Sequence, residues 1–185
     1  RTQLREGLVE LLGCTPEGKA YESLVVLEGK PSDLYYALQR LGLKPGLVAN
    51  MEGSGKRPRG DLLDIWVEWK DKDGGWTRAR AENLVVDLET GKPVQRRGWV
   101  FVGSEFVVAE DPVTKQKLDY FLANGTGSMV TASAGYNTST ILDSALRLEY
   151  GQTVANTPAL PPAGTLARFR FAPVPPEEAE PIYKL

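Results

Sequence analysis

The chain has 185 residues, 42% of them hydrophobic, and carries 22 basic and 24 acidic residues for a net charge of −2. This length predicts one domain, and the balanced charge argues against nonspecific nucleic-acid binding, which needs a basic surface. No apolar run approaches the roughly 20 residues of a transmembrane helix. There is no histidine and one cysteine, which excludes histidine-based catalysis, an internal disulfide and Cys-only metal centres. We therefore predict no cofactor and no metal site.

The first clear elements are a strand followed by a helix. Glu22–Leu27 is rich in β-branched residues and predicts a central strand. Ser32 can cap a helix, and Gly42 then marks its end. Between them, apolar residues recur at helical spacing, at Leu34, Ala37, Leu38 and Leu41. The pattern predicts one clear short helix over about residues 32–41.

Residues 61–70 form the most regular alternating segment. Apolar side chains occupy every second position, at Leu63, Ile65, Val67 and Trp69. The positions between them are occupied by Asp64, Trp66 and Glu68. This period of two predicts a strand with one apolar face.

A hairpin follows this strand. Residues 71–75 (DKDGG) have the composition of a tight turn, and residues 76–81 return as a strand. Arg78 and Arg80 share one face of the returning strand. We expect Glu68 to pair across the hairpin with one of these arginines.

The later part of the chain predicts more short strands. Residues 98–102 and 165–171 read as strands, whereas 139–148 fit either a helix or a strand. Residues 173–185 predict an extended, acidic, proline-rich tail. The fold class expected is α+β and β-rich, with mostly antiparallel sheets or a sandwich over residues 1–172.

Several unlike segments, in the same order along the chain, resemble the YdjY-like domain of bacteria. They are Lys19–Ser23, Pro31–Leu34, Ala37–Gly46, Trp99–Ser104, Tyr120–Gly125 and Pro161–Thr165. Members of that family have no assigned function, and many are exported or lipid-anchored. The resemblance therefore implies an extracytoplasmic protein, periplasmic, cell-surface or secreted, with peripheral or lipid-anchored association known in relatives.

The chain departs from that family at positions where relatives often carry histidine. It has Tyr21 at the first position and Tyr35 or Tyr36 at the second. A metal or catalytic role of those histidines in relatives would be absent from this chain. The resemblance thus implies that these positions are structural.

Three functions fit these patterns. The first is a non-catalytic domain acting through protein–protein contacts or self-assembly, with the tail residues Pro175, Pro176 and Tyr183 contacting a partner. The second is a small-ligand or carbohydrate binder. The third is a hydrolase-type enzyme using Glu22, Asp143 or Cys14. The candidate binding residues are Glu22, Ser23, Trp66, Arg78 and Arg80.

Overall fold

The computed structural model describes residues 1–49, 57–132, 139–145 and 151–184. Within these ranges the chain forms thirteen strands and three α-helices. The strands are β1 (Leu11–Cys14), β2 (Ser23–Val26), β3 (Leu62–Lys70), β4 (Trp76–Arg80), β5 (Val85–Asp87), β6 (Lys92–Pro93), β7 (Trp99–Phe101), β8 (Phe106–Glu110), β9 (Lys117–Phe121), β10 (Ser128–Thr131), β11 (Leu142–Ser144), β12 (Thr153–Ala155) and β13 (Ala167–Pro173). The helices are α1 (Pro31–Arg40), α2 (Leu122–Thr126) and α3 (Pro176–Lys184). The predicted α+β, β-rich fold is confirmed.

The main sheet contains eight strands. Seven of them follow the order β13-β3-β7-β11-β10-β1-β2, and β4 pairs with the C-terminal half of β3. The pairs β1–β2 and β10–β11 are parallel, and the other pairs in this sheet are antiparallel. A three-stranded sheet (β12-β5-β6) and the hairpin β8–β9 complete the strands. The choice left open for residues 139–148 is settled as a strand for Leu142–Ser144, while residues 146–148 lie outside the described part.

The predicted alternation along β3 is confirmed. Leu63, Ile65 and Val67 are buried in the main core, where helix α1 contributes Leu38 and β7 contributes Phe101. Burial of these side chains is the main driving force for the fold, at about 25 cal/mol per Å² of apolar surface. The polar positions between them point to the opposite face of the sheet.

The prediction of a central strand at residues 22–27 is wrong. Strand β2 is the last strand of the main sheet, and Glu22 belongs to a 3₁₀ turn that precedes it. Residues 1–4 run along its outer side, with Gln3 N donating to Leu24 O and Val26 N donating to Arg1 O. This covering segment explains why an edge strand is nearly as apolar as a central one.

The expected extended tail is also not observed. Residues 176–184 form helix α3, whose Ala179 and Ile182 pack on a second apolar cluster. That cluster consists of Val48, Leu62, Val100, Val102, Ala145 and Val174. The amphipathic spacing of Ala179 and Ile182 outweighs the proline content. Pro176 occupies the first position of the helix, where proline is tolerated, whereas Pro181 lies in the helix interior and lacks the N–H of one helical hydrogen bond. Pro175 and Pro176 are exposed, and the side chain of Tyr183 lies outside the described part.

Hairpin β8–β9 is attached to the rest of the fold at one end. Phe106 and Phe121 form its first cross-strand pair and contact Tyr35 of α1, with ring centroids 5.8 and 5.3 Å from that of Tyr35. Away from this aromatic cluster the hairpin is exposed, and Val113 in its turn is 87% exposed. The hairpin therefore depends on one aromatic anchor.

Candidate functional site

The outward face of β3 carries the candidate residues that the structure brings together. Trp66 lies opposite Arg80 on β4 and opposite Arg170 on β13. Glu68 lies in the same way between Arg78 and Arg168. We call this surface the Trp66 face, defined by Asp64, Trp66, Glu68, Trp76, Arg78, Arg80, Arg168 and Arg170. It unites three of the predicted binding residues, Trp66, Arg78 and Arg80.

Two arginines of this face were missed as site residues by the sequence analysis. Arg168 and Arg170 alternate with inward-facing Phe169 and Phe171 along β13. The alternation was visible in the sequence, but it does not show which strand pairs with which. The pairing of β13 with the whole length of β3 places these arginines beside Trp66.

One end of the Trp66 face is an ion-pair network. Asp64 accepts from Arg80 Nη1 at 3.1 Å and from Arg96 Nη2 at 2.7 Å. Burial by itself raises the pKa of Asp64, but the hydrogen bonds and charges of Arg80 and Arg96 outweigh that effect and hold this pKa below its usual value. Arg96 Nη2 also donates to Glu178 of α3 at 2.9 Å. The network thus joins the sheet face to the C-terminal helix.

A buried carboxylate lies behind this network. Glu82 is 2% exposed, and its Oε2 lies 3.5 Å from Arg80 Nε. Its Oε1 accepts from the backbone N–H groups of Arg97 and Gly98 at 3.3 and 3.2 Å. Glu82 therefore fixes the segment that leads into β7 and orients Arg80 at the same time.

The tryptophan rings of the face lie against cations. The guanidinium carbons of Arg78 and Arg80 lie 4.9 and 5.0 Å from the Trp66 ring centroid. Arg168 lies 4.1 Å from the Trp76 ring centroid while its Nε donates to Glu68 at 2.6 Å. Such contacts hold the guanidinium planes in fixed positions and contribute about 0.5–1 kcal/mol each at exposed sites.

Two arginines of the Trp66 face have no counter-ion among the described residues. Arg78 lies against the Trp66 ring, and neither Arg78 nor Arg170 forms an ion pair within the part of the chain that the structure describes. Both side chains are exposed. They lie on the two strands that flank Trp66, so the face presents positive charge on both sides of an aromatic ring.

The other predicted binding residues, Glu22 and Ser23, lie elsewhere. They precede and begin β2, at the opposite end of the strand order from β13. Ser23 is buried and its hydroxyl donates to Lys19 O at 2.7 Å. Glu22 lies 3.8 Å from Lys19 Nζ, which also binds Glu10 at 2.5 Å. Burial and the hydrogen bond from Glu22 raise the pKa of Glu10.

The residues of the hydrolase hypothesis have separate surroundings. Cys14 is fully buried, and burial raises the pKa of its thiol against the opposing hydrogen bond of Ser23. Asp143 is fully buried as well, and its Oδ1 accepts from the Thr131 hydroxyl at 2.7 Å. A nucleophilic cysteine needs a lowered pKa and access to substrate, and Cys14 has neither.

The tyrosines at the positions where relatives often carry histidine differ from one another. Tyr21 is 69% exposed. Tyr35 packs among Tyr36, Phe101, Phe106 and Phe121. Among the residues described, no group of three or more acidic or cysteine side chains is arranged to hold a metal ion.

Comparison with known proteins concerns curated proteins, solved structures and family models. Neither the curated proteins nor the solved structures contain a match to this chain. Within the described ranges, no helix has the length and hydropathy that crossing a bilayer requires. The family model of the YdjY domain matches residues 1–172, and the chain therefore belongs to the YdjY domain family.

Proposed function

We propose that this protein is a non-catalytic binding domain that holds an acidic protein surface on the Trp66 face. The observation that carries the proposal is the pair of exposed arginines, Arg78 and Arg170, on either side of Trp66 without counter-ions in the described part. The other arginines of the face are held by Asp64 and Glu68. The paired residues form a scaffold, and the unpaired ones remain available to a partner.

The chemistry of the face suits a protein partner. Guanidinium groups bind carboxylates through two parallel hydrogen bonds, and arginine and tryptophan are enriched where protein interfaces contribute most binding energy. The face is formed by three strands, and clefts of about 310 and 570 Å³ are lined by other residues. A broad cationic surface formed by three strands matches an acidic protein surface better than a small molecule.

The same geometry favours a protein partner over a carbohydrate. A sugar ring stacks on a bare aromatic face. Arginines contact the Trp66 and Trp76 rings at 4.1 to 5.0 Å and occupy much of that surface. Carbohydrate binding therefore remains the alternative, for which the structure offers less open ring surface.

The partner of the Trp66 face can be a different protein or a second copy of this chain. Self-assembly by donation of the tail as a strand is less favoured, since residues 176–184 are helical and packed on the domain. Light scattering after size-exclusion chromatography separates the two cases. A dimer that disappears when Arg78 and Arg170 are replaced identifies self-assembly through this face.

We also propose an extracytoplasmic location, periplasmic, cell-surface or secreted. Its support is the membership of a family in which many proteins are exported or lipid-anchored. Immunodetection in fractionated cells that express the protein tests it. Recovery only in the cytoplasmic fraction would contradict this location.

The binding proposal is tested with an acidic probe. A fluorescein-labelled oligoglutamate peptide is titrated with the protein and followed by fluorescence anisotropy, with oligoglutamine as the matched neutral peptide. We expect saturable binding of the acidic peptide alone, weakened by added salt. The double variant Arg78→Ser/Arg170→Ser should bind about tenfold or more weakly, which corresponds to about 1.4 kcal/mol.

The control variant is Arg40→Ser, which removes an exposed arginine from α1, outside the Trp66 face. Its affinity should equal that of the unmodified protein. Equal affinity of the double variant would refute the proposal. Binding of neutral oligosaccharides without binding of oligoglutamate would favour the carbohydrate alternative.

A further inference from the structure

A second cationic surface lies in a cleft beside the β5–β6 hairpin. The cleft has a volume of about 310 Å³, at the lower end of the usual size of small-molecule sites. Pro93 and Val94 line it as apolar residues. The polar side chains at its wall belong to Asp87, Thr90, Lys92, Gln95 and Arg97.

Arg97 is the unusual residue of this cleft. Its Nε atom is buried and has no hydrogen-bond partner among the described residues. The side chain forms no ion pair in the described ranges, and burial together with the charge of Arg57 lowers its pKa. The guanidinium group of Arg97 is therefore both desolvated and repelled by the positive charge of Arg57. An anion bound in the cleft would offset both unfavourable effects.

The acidic groups near Arg97 are engaged elsewhere. Asp87 accepts from the backbone N–H of Glu89 at 2.9 Å and from the Thr90 hydroxyl at 3.2 Å, which closes the turn after β5. Glu82 contacts the backbone N–H of Arg97 rather than its guanidinium group. Neither carboxylate neutralises the side chain of Arg97.

Two further donors of the cleft have no partner among the described residues. The ammonium group of Lys92 forms no ion pair, and the side-chain amide of Gln95 forms no hydrogen bond, within the ranges that the structure describes. Thr90 differs, because its hydroxyl donates to Asp87 and accepts from the backbone of Lys92. Arg97, Lys92 and Gln95 thus offer donors, and the first two also offer positive charge.

We propose that this cleft binds a small oxyanion, namely the phosphate or carboxylate group of a small molecule. Arg97 is the bidentate donor, Lys92 supplies the second positive charge and Gln95 contributes a neutral N–H donor. The apolar surface of Pro93 and Val94 contacts the remainder of the ligand. This site is separate from the Trp66 face. The oxyanion proposal and the proposal for the Trp66 face can therefore each be refuted independently of the other.

The test uses inorganic phosphate and citrate as probes, which separate phosphate from carboxylate chemistry. Thermal unfolding and isothermal titration calorimetry are carried out at constant ionic strength with chloride as the reference anion. At least one probe should raise Tm in a saturable manner relative to chloride. The variant Arg97→Met, which keeps the side-chain length without the charge, should lose the saturable rise. Lys92→Gln should bind about tenfold more weakly.

Arg40→Gln is the matched control, because it removes an exposed arginine from α1, outside both the cleft and the Trp66 face, and should leave anion binding unchanged. If Arg97→Met does not fold, nuclear magnetic resonance of the Gln95 side-chain amide on addition of phosphate or citrate gives the second readout. A saturable shift of that signal is expected. The absence of a saturable effect of both probes over chloride, or binding retained in Arg97→Met, would overturn the proposal.

Discussion

The two faces of strand β3 are built by opposite physical means. On the inward face, Leu63, Ile65 and Val67 are at most 1% exposed and pack in the main core. The outward face holds Asp64 and Glu68 at 8% and 7% exposure, buried beneath arginines rather than apolar residues. One strand thus supplies both the core and a preorganised polar surface. Only the outward face carries charged side chains, Arg78 and Arg170, that form no ion pair with the described residues.

Among the substitutions considered, Ile65→Ala on the inward face should lower the free energy of unfolding most. Ile65 is fully buried, so the change leaves a cavity and should lower the free energy of unfolding by about 3–4 kcal/mol. Urea denaturation followed by far-ultraviolet circular dichroism measures this loss. Oligoglutamate affinity, measured where the variant is folded, should remain unchanged. A loss below about 1 kcal/mol would contradict the assignment of Ile65 to the core.

Asp64→Asn tests the ion-pair network of the outward face. Removing the charge leaves Arg80 and Arg96 without their shared carboxylate and should cost about 3 kcal/mol near neutral pH. Because the folded-state pKa of Asp64 lies below the unfolded value of about 3.9, its contribution is present above that value and is lost as pH falls through the folded-state pKa.

The stability difference between the unmodified protein and Asp64→Asn should therefore shrink at acid pH. Urea denaturation at a series of pH values measures it. Asp119→Asn, at an exposed position of the β8–β9 hairpin, is the control and should change stability little at any pH. A difference that stays constant down to the acid limit of folding would contradict the role given to Asp64.

Arg168→Gln probes the pair that holds the middle of the face. Arg168 is 62% exposed, and solvent therefore screens its bond to Glu68. We expect a loss of about 0.5–1 kcal/mol in urea denaturation, which includes the contact with Trp76. Trp76 fluorescence should change with it, since the cation leaves the ring. A loss as large as that of Asp64→Asn would show that exposure does not weaken this pair.

Arg78→Ser is expected to have the smallest effect on stability, within about 0.5 kcal/mol of zero. Arg78 is exposed and lies against the Trp66 ring. Its effect on oligoglutamate affinity should nevertheless exceed that of Arg168→Gln. Arg168 is bound to Glu68, whereas Arg78 forms no ion pair with a described residue and is available to the peptide. Paired denaturation and anisotropy measurements check both parts. A stable variant with unchanged affinity would remove Arg78 from the binding surface.

The sequence was sufficient for features that depend on neighbouring residues. The alternation of residues 61–70 and the turn at 71–75 predicted β3 and β4. Glu68 lies directly opposite Arg78, as the expected hairpin requires, but the expected ion pair of Glu68 with Arg78 or Arg80 is not among those of the described residues. Helix α1 was predicted to within one residue at each end. These features follow from local periodicity and turn chemistry.

Features that depend on distant residues could not be predicted. The ion pair of Glu68 is with Arg168, one hundred residues later, and not with Arg78. Asp64 likewise needs Arg96, and α3 is a helix partly because Val174, Ala179 and Ile182 meet a cluster from four other segments. A strand's period tells which residues share a face, but not which strand will lie beside it.

Hairpin β8–β9 should expose its backbone amides in a graded order. In the described part no third strand pairs with it, and its anchor is the cluster of Phe106, Phe121 and Tyr35. Local opening costs least where few buried contacts must be broken. Deuterium should therefore enter the turn around Val113 first and reach the Phe106–Phe121 pair last, so that the hairpin opens from its tip while the rest of the domain stays closed.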